Sequence, residues 1–322
     1  MPQNSAAYAV GRIRVLEGRL LDRDRLRRLL DGSVAEAVKL LAEAGYGGGE
    51  GDYETMLARE LDEACALVRS ISPEPRVTDA FLIRYDYHNL KVLLKTRSRQ
   101  REAEGLLLPC GALPLDALRR AAWEGDPYGL PEEMKNALIA WNARTDRHLD
   151  PRALGQLLDA ALFAQQDRLA RQAKHPFLSR YISAQHRMTE LLAALRVRRQ
   201  GGGAEQLAFL PNPGPYLPVL EGNEESVGAV VAGVDGGWGP LLEQPAVAFL
   251  RTGRAAALEK AMDDYLLGLT RPYRHDPFSV VPVVGYLLAR ESEARNIRMI
   301  LVGKANGAPR EALEERLRDP YA

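Results

Sequence analysis

A long helical pattern near the end of the chain, residues 286–304 (YLLARESEARNIRMILVGK), has two weaker copies upstream. That recurrence constrains the fold more than any other feature. The copies are residues 86–95 (DYHNLKVLLK) and residues 184–193 (AQHRMTELLA). Aligned, Asp86, Asn89, Leu90, Lys91, Leu93 and Leu94 fall on Glu293, Asn296, Ile297, Arg298, Ile300 and Leu301. In the middle copy they fall on Ala184, Arg187, Met188, Thr189, Leu191 and Leu192. The anchors at 89, 187 and 296 lie about 100 residues apart, a domain-sized and not a solenoid-sized period. The spacing predicts three similar helical repeats spanning 1–105, 106–204 and 205–322.

Each copy carries an apolar stripe. Ile83, Tyr87, Leu90 and Leu94 recur at helical steps, as do Tyr181, Gln185, Met188, Leu192 and Leu195. In the last copy Ala294, Ile297 and Leu301 keep the rule, while Arg290 and Glu291 interrupt it one turn earlier. Asp86 and Lys91, like Glu293 and Arg298, are five residues apart, roughly 140° around a helix, so neither pair can meet along its own helix. Their partners are expected on other elements.

Period-two alternation of β-branched residues persists nowhere, and Ala, Leu, Arg and Glu dominate the long segments. The fold class is therefore read as all-α. With 322 residues and a hydrophobic fraction of 46%, the chain can fill more than one core. Its 43 basic and 43 acidic residues argue against a general nucleic-acid binder, which needs a basic excess. The uncharged runs 206–220 and 277–289 are shorter than the ~20 residues of a membrane-spanning helix and are broken by prolines. The N-terminus has no apolar core of signal-peptide type.

In chain order, residues 8–21 read as an amphipathic helix, and Asp24 as a cap for a second helix carrying Leu26, Leu29 and Leu30. A third helix over 33–44 stops at the glycine run 46–51, which lacks the Gly-Lys-Ser/Thr of a phosphate loop. Long helices follow over 53–70, 154–172, 178–199 and 258–270. Leu113 to Arg120 echoes Leu21 to Arg28, with Leu113 on Leu21 and Leu118 on Leu26. His175, Pro176 and Phe177 are mirrored by Asp276, Pro277 and Phe278.

No constellation for catalysis emerges. His88, His148, His175, His186 and His275 stand singly, without ligand pairs or carboxylates at metal spacing. Cys65 and Cys110 have no metal-thiolate spacing and are read as reduced thiols. Nucleophile-elbow, dinucleotide and kinase signatures are absent. Catalytic, cofactor and metal residues are accordingly all expected to be none, with no small-molecule substrate. On the residues alone, a soluble all-helical adaptor and a helical hydrolase with an unrecognised site both remain open.

Residues 8–21 (YAVGRIRVLEGRLL), 85–95 (YDYHNLKVLLK) and 291–307 (ESEARNIRMILVGKANG) resemble the C subunit of the A/V-type rotary ATPases, the family of the d subunit of eukaryotic vacuolar ATPases. The middle copy departs from the acidic-Asn-apolar-basic pattern. The resemblance implies three helical domains in a pseudo-threefold funnel. It implies a non-catalytic rotor part on the cytoplasmic face of the membrane, bound to the proteolipid ring and to central-stalk subunits of D and F type, passing torque between ATP chemistry and H⁺ or Na⁺ transport. Within that frame Asp86, Asn89, Lys91, Arg187, Glu293, Asn296 and Arg298 are structural or interface candidates that tie the repeats together or line the funnel.

Overall fold

The computed structural model describes residues 5–49, 52–99, 103, 105–144, 150–234 and 236–321; Glu50, Gly51 and His148 lie outside them. Among the described residues every regular element is helical and no strand occurs. The chain opens with α1 (Ala6–Glu17), α2 (Arg23–Leu30), α3 (Val34–Glu43) and α4 (Tyr53–Ile71). It continues through α5 (Pro75–Arg99), α6 (Leu115–Trp123), α7 (Glu132–Asn142), α8 (Pro151–Ala173), α9 (Pro176–Arg199) and α10 (Leu217–Glu221). The last stretch holds α11 (Glu224–Ala232), α12 (Gly239–Thr252), α13 (Ala256–Gly268), α14 (Val281–Ala305) and α15 (Arg310–Glu314).

Local chemistry sets the boundaries. Ser33 and Glu36 exchange side chain-to-backbone hydrogen bonds and start α3 as a capping box. Asp22, not Asp24, caps α2, because its carboxylate accepts the Arg25 N–H at 2.8 Å; Asp24 sits inside the first turn, where it complements the helix dipole. The glycine run after α3 forms a 3₁₀ turn, Tyr46–Gly49. Gly47 there has φ +59° and passes so near α4 that a Cβ would lie 2.6 Å from Met56, so only glycine fits. The final long helix begins earlier than the stripe suggested. Proline is tolerated in a first turn, so Pro282 lies within α14 and the uncharged run before Arg290 becomes its buried first half.

The chain packs as two compact units, one of Met1–Pro73 with Gly222–Ala322 and the other of Glu74–Glu221. In the first unit, Ile297, Ile300 and Leu301 of α14 pack with Leu26, Leu29 and Leu30 of α2, Leu41 of α3 and Leu57 of α4. In the second, Leu90, Leu93 and Leu94 of α5 pack with Leu118 and Ala121 of α6, Leu138 of α7 and Leu158 of α8. The aligned stripe residues thus occupy the centre of both cores. The same holds for Leu26 and Leu118, the pair from the echoed segments.

A second cluster in the second unit is aromatic. Phe81 meets Tyr181 edge-on at 4.8 Å between centroids and Phe177 at 6.3 Å. Phe177 is buried, whereas Phe278 of the mirrored Asp-Pro-Phe is 81% exposed. The matching tripeptides share a role as helix breaks but not a packing environment.

Candidate functional site

The polar positions of the repeated helix become a clamp with three parts. The first is a buried carboxylate. On α5, fully buried Asp86 accepts the backbone N–H of Ala112 at 2.9 Å and of Leu113 at 3.2 Å, in the segment just before α6. On α14, buried Glu293 accepts the N–H of Leu21, the residue before the cap of α2. Leu113 and Leu21 are the residues paired by the sequence echo. Such bonds to an ionised acceptor are about twice as strong as neutral ones, and they compensate carboxylates taken out of water.

The second part is an amide pair. Asn89 accepts the Leu108 N–H at 2.8 Å and donates to the Leu108 carbonyl at 2.6 Å. Asn296 does the same to Arg318, accepting at 2.9 Å and donating at 3.1 Å. One side chain thereby satisfies both polar groups of one backbone residue, which no aliphatic or acidic side chain can do.

The third part is an outer ion pair. Lys91 bonds Asp159 on α8. Arg298 grips Glu54 on α4 through Nε and Nη2 at 2.9 and 2.7 Å. Arg298 and Glu54 are each about half exposed, so this pair orients more than it stabilises.

In the middle copy Ala184 has no carboxylate and Thr189 bonds its own helix at the Gln185 carbonyl. The acid appears instead at Glu190, nearly two turns on, where it accepts the Asn212 N–H at 2.7 Å. Burial, the largest influence, raises the Glu190 carboxyl above the usual range. Arg187 is not part of an equivalent amide pair. His186 joins a buried relay instead, 3.0 Å from Gln166, whose amide donates to the Ala80 carbonyl at 3.1 Å. Tyr87 donates to the neighbouring Gln165 at 2.9 Å.

Arg290, which interrupts the apolar stripe and is not among the sequence candidates, places its guanidinium at the centre of the first unit's polar core. It donates to Glu293 at 2.9 Å, lies 3.4 Å from Glu60, and sits 5.7 and 5.5 Å from the ring centroids of Tyr46 and Tyr286. Burial opposes its charge, but Glu293, Tyr286 and Tyr46 outweigh that and hold it more firmly protonated than a free arginine. Burial raises the Glu293 carboxyl, against the pull of Arg290. Tyr286, Arg290 and Glu293 are spaced four and three apart, a shared helix face that was available as a signal. The cluster borders a cavity of about 590 Å³ whose other polar lining residues include Arg19, Arg59 and Glu63. Among the described residues no His, Cys, Asp or Glu group could hold a metal ion.

The clamp parts should differ in weight. Asn296→Ala is expected to lower stability by about 2–4 kcal/mol, because it strands a backbone donor and acceptor. Arg298→Ala should cost no more than about 1 kcal/mol. Urea denaturation of the two variants checks the order, and equal losses would show that the amide pair does not hold α14. Gly111→Ala should be at least as damaging as Arg298→Ala, since its Cβ would lie 1.7 Å from the Asp86 carboxylate and a clash of that kind costs about 1–3 kcal/mol.

Comparison with known proteins agrees with the end-to-end character of these features. The family model described as ATP synthase (C/AC39) subunit matches residues 9–316. The C subunit of the V-type ATP synthase of Thermus thermophilus is 28% identical, over 97% of this chain and 98% of its own. The C subunit of the V-type sodium ATPase of Enterococcus hirae is 24% identical, over 86% and 85%. The C subunit of the A-type ATP synthase of Methanocaldococcus jannaschii is 24% identical, over 97% and 86%. With almost its whole length matched, the chain belongs to the ATP synthase (C/AC39) subunit family.

Proposed function

We propose that this chain is the rotor part joining the central stalk of a V/A-type ATPase to its membrane proteolipid ring, and that it carries torque between them. The C subunit of these ATP synthases is structural and non-catalytic. The family match over residues 9–316 carries the reading. Among the described residues no helix is long and apolar enough to cross a membrane, which suits a peripheral component. Its place is the cytoplasmic face, against the ring on one side and stalk subunits of D and F type on the other.

The clamps supply a reason for stiffness. A torque-bearing part must not deform between its two partners, and densely packed helices held by buried charge-assisted bonds transmit strain. The packing also supports three repeats, 1–105, 106–204 and 205–322, in a pseudo-threefold funnel. The closing helix of each repeat packs on the opening elements of the next: α5 on α6 and α8, α9 on α10, and α14 on α1 to α4. In this reading Asp86, Asn89, Lys91, Glu293, Asn296 and Arg298 are the joints of the ring, and Arg187 marks the joint that has diverged.

The test is affinity co-purification of the tagged chain from mildly solubilised native membranes, with partners identified by mass. A small proteolipid and stalk subunits are expected together. Recovery of a clean soluble monomer at low salt would overturn the rotor reading.

A further inference from the structure

In the second unit the two grips of the clamp act on one short covalent run, since Asn89 holds Leu108 and Asp86 holds Leu113. In the first unit the same grips act on opposite ends of the chain. Asn296 holds Arg318 and Glu293 holds Leu21. Residues 316–321 therefore stand where a linker stands in the other unit, with no peptide bond continuing from them into the segment before α2.

Their remaining contacts describe a clasp. Arg318 bonds Asp263 at 2.6 Å, the Asp319 N–H donates to Asp264 at 2.8 Å, and the Asp319 carboxylate meets Arg23 at 2.7 Å. Tyr321 is buried, with the Arg274 guanidinium 5.3 Å over its ring. Its seat exists because residue 285 of α14 is glycine: a Cβ there would lie 2.8 Å from the Tyr321 hydroxyl. The seat is poorly satisfied. The buried Tyr321 hydroxyl, Glu17 Oε1, Arg14 Nη2 and Arg274 Nε have no hydrogen bond from the described residues. Burial of the ring favours docking there, and the hydroxyl faces the Glu17 carboxylate without a well-formed hydrogen bond.

We propose that residues 316–321 are a releasable clasp that replaces the missing linker. Seated, it locks α14 onto the segment between α1 and α2. Released, it strips Asn296 of its backbone partner and lets the Glu293–Leu21 bond open while the rest of the unit stays folded. The inference rests on the chain's own contacts and stands apart from the rotor reading.

The test is hydrogen exchange of the full chain, read at Leu21 and Arg318, with Leu108 and Leu113 as internal references. Tyr321→Ala should speed exchange at Leu21 and Arg318 by about tenfold or more, since truncating a buried aromatic weakens the docked state. Gly285→Ala should do the same by filling the seat, although alanine is the better helix former. Tyr321→Phe should leave exchange unchanged or slow it, because it removes only a hydroxyl that makes no well-formed hydrogen bond. Leu108 and Leu113 should not respond. Unchanged exchange at Leu21 in Tyr321→Ala, equal acceleration by Tyr321→Phe, or acceleration spread through α11 and α12 would each overturn the clasp.

Discussion

A carboxylate in the buried face of a helix, facing the backbone N–H that precedes the next helix, is the interaction on which the rest of the structure depends. Glu293 and Asp86 each occupy that position, toward Leu21 and toward Ala112 and Leu113. A buried carboxylate without donors is costly, and a buried N–H without an acceptor is costly as well. Each needs the other, so the approach of the two segments is specified in angle and register. Apolar packing alone tolerates sliding among similar side chains.

Around that contact the first unit has assembled a neutralising shell. Glu293 is answered by Arg290, Arg290 by Glu60, and the guanidinium is flanked by the rings of Tyr46 and Tyr286. Arginine suits this place because its charge persists when buried and its flat face stacks on aromatic rings. Replacing such a network by apolar residues often stabilises a protein, so its value lies in geometry more than in stability. In the proposed rotor role, a single rigid arrangement is the property that matters.

The middle copy makes an equivalent contact from another position. Ala184 carries no acid, yet Glu190 supplies one to the Asn212 N–H from further along α9. The helix still presents its carboxylate to the element that follows, through a different turn. Alignment by position could not find it, because the physical requirement is an acceptor near a stranded N–H and several positions on one face can meet it.

By itself the sequence determined most of the long helices, the apolar stripes and the echo of residues 21–28 in 113–120. Those properties are local: periodicity and capping act within a few residues. It also excluded pairing of Asp86 with Lys91 and of Glu293 with Arg298 along their own helices, which is geometry of a single helix. Only the tertiary structure decided that Arg290 and Glu291, which break the stripe, are both buried, Arg290 against Glu293. Only it showed Asn296 holding the backbone of Arg318, and Tyr321 seated against Gly285. Which charge is desolvated, and which backbone group meets which side chain, depends on contacts between separate elements, as far apart as Leu21 and Glu293, 272 residues along a chain of 322, and no local pattern carries that information.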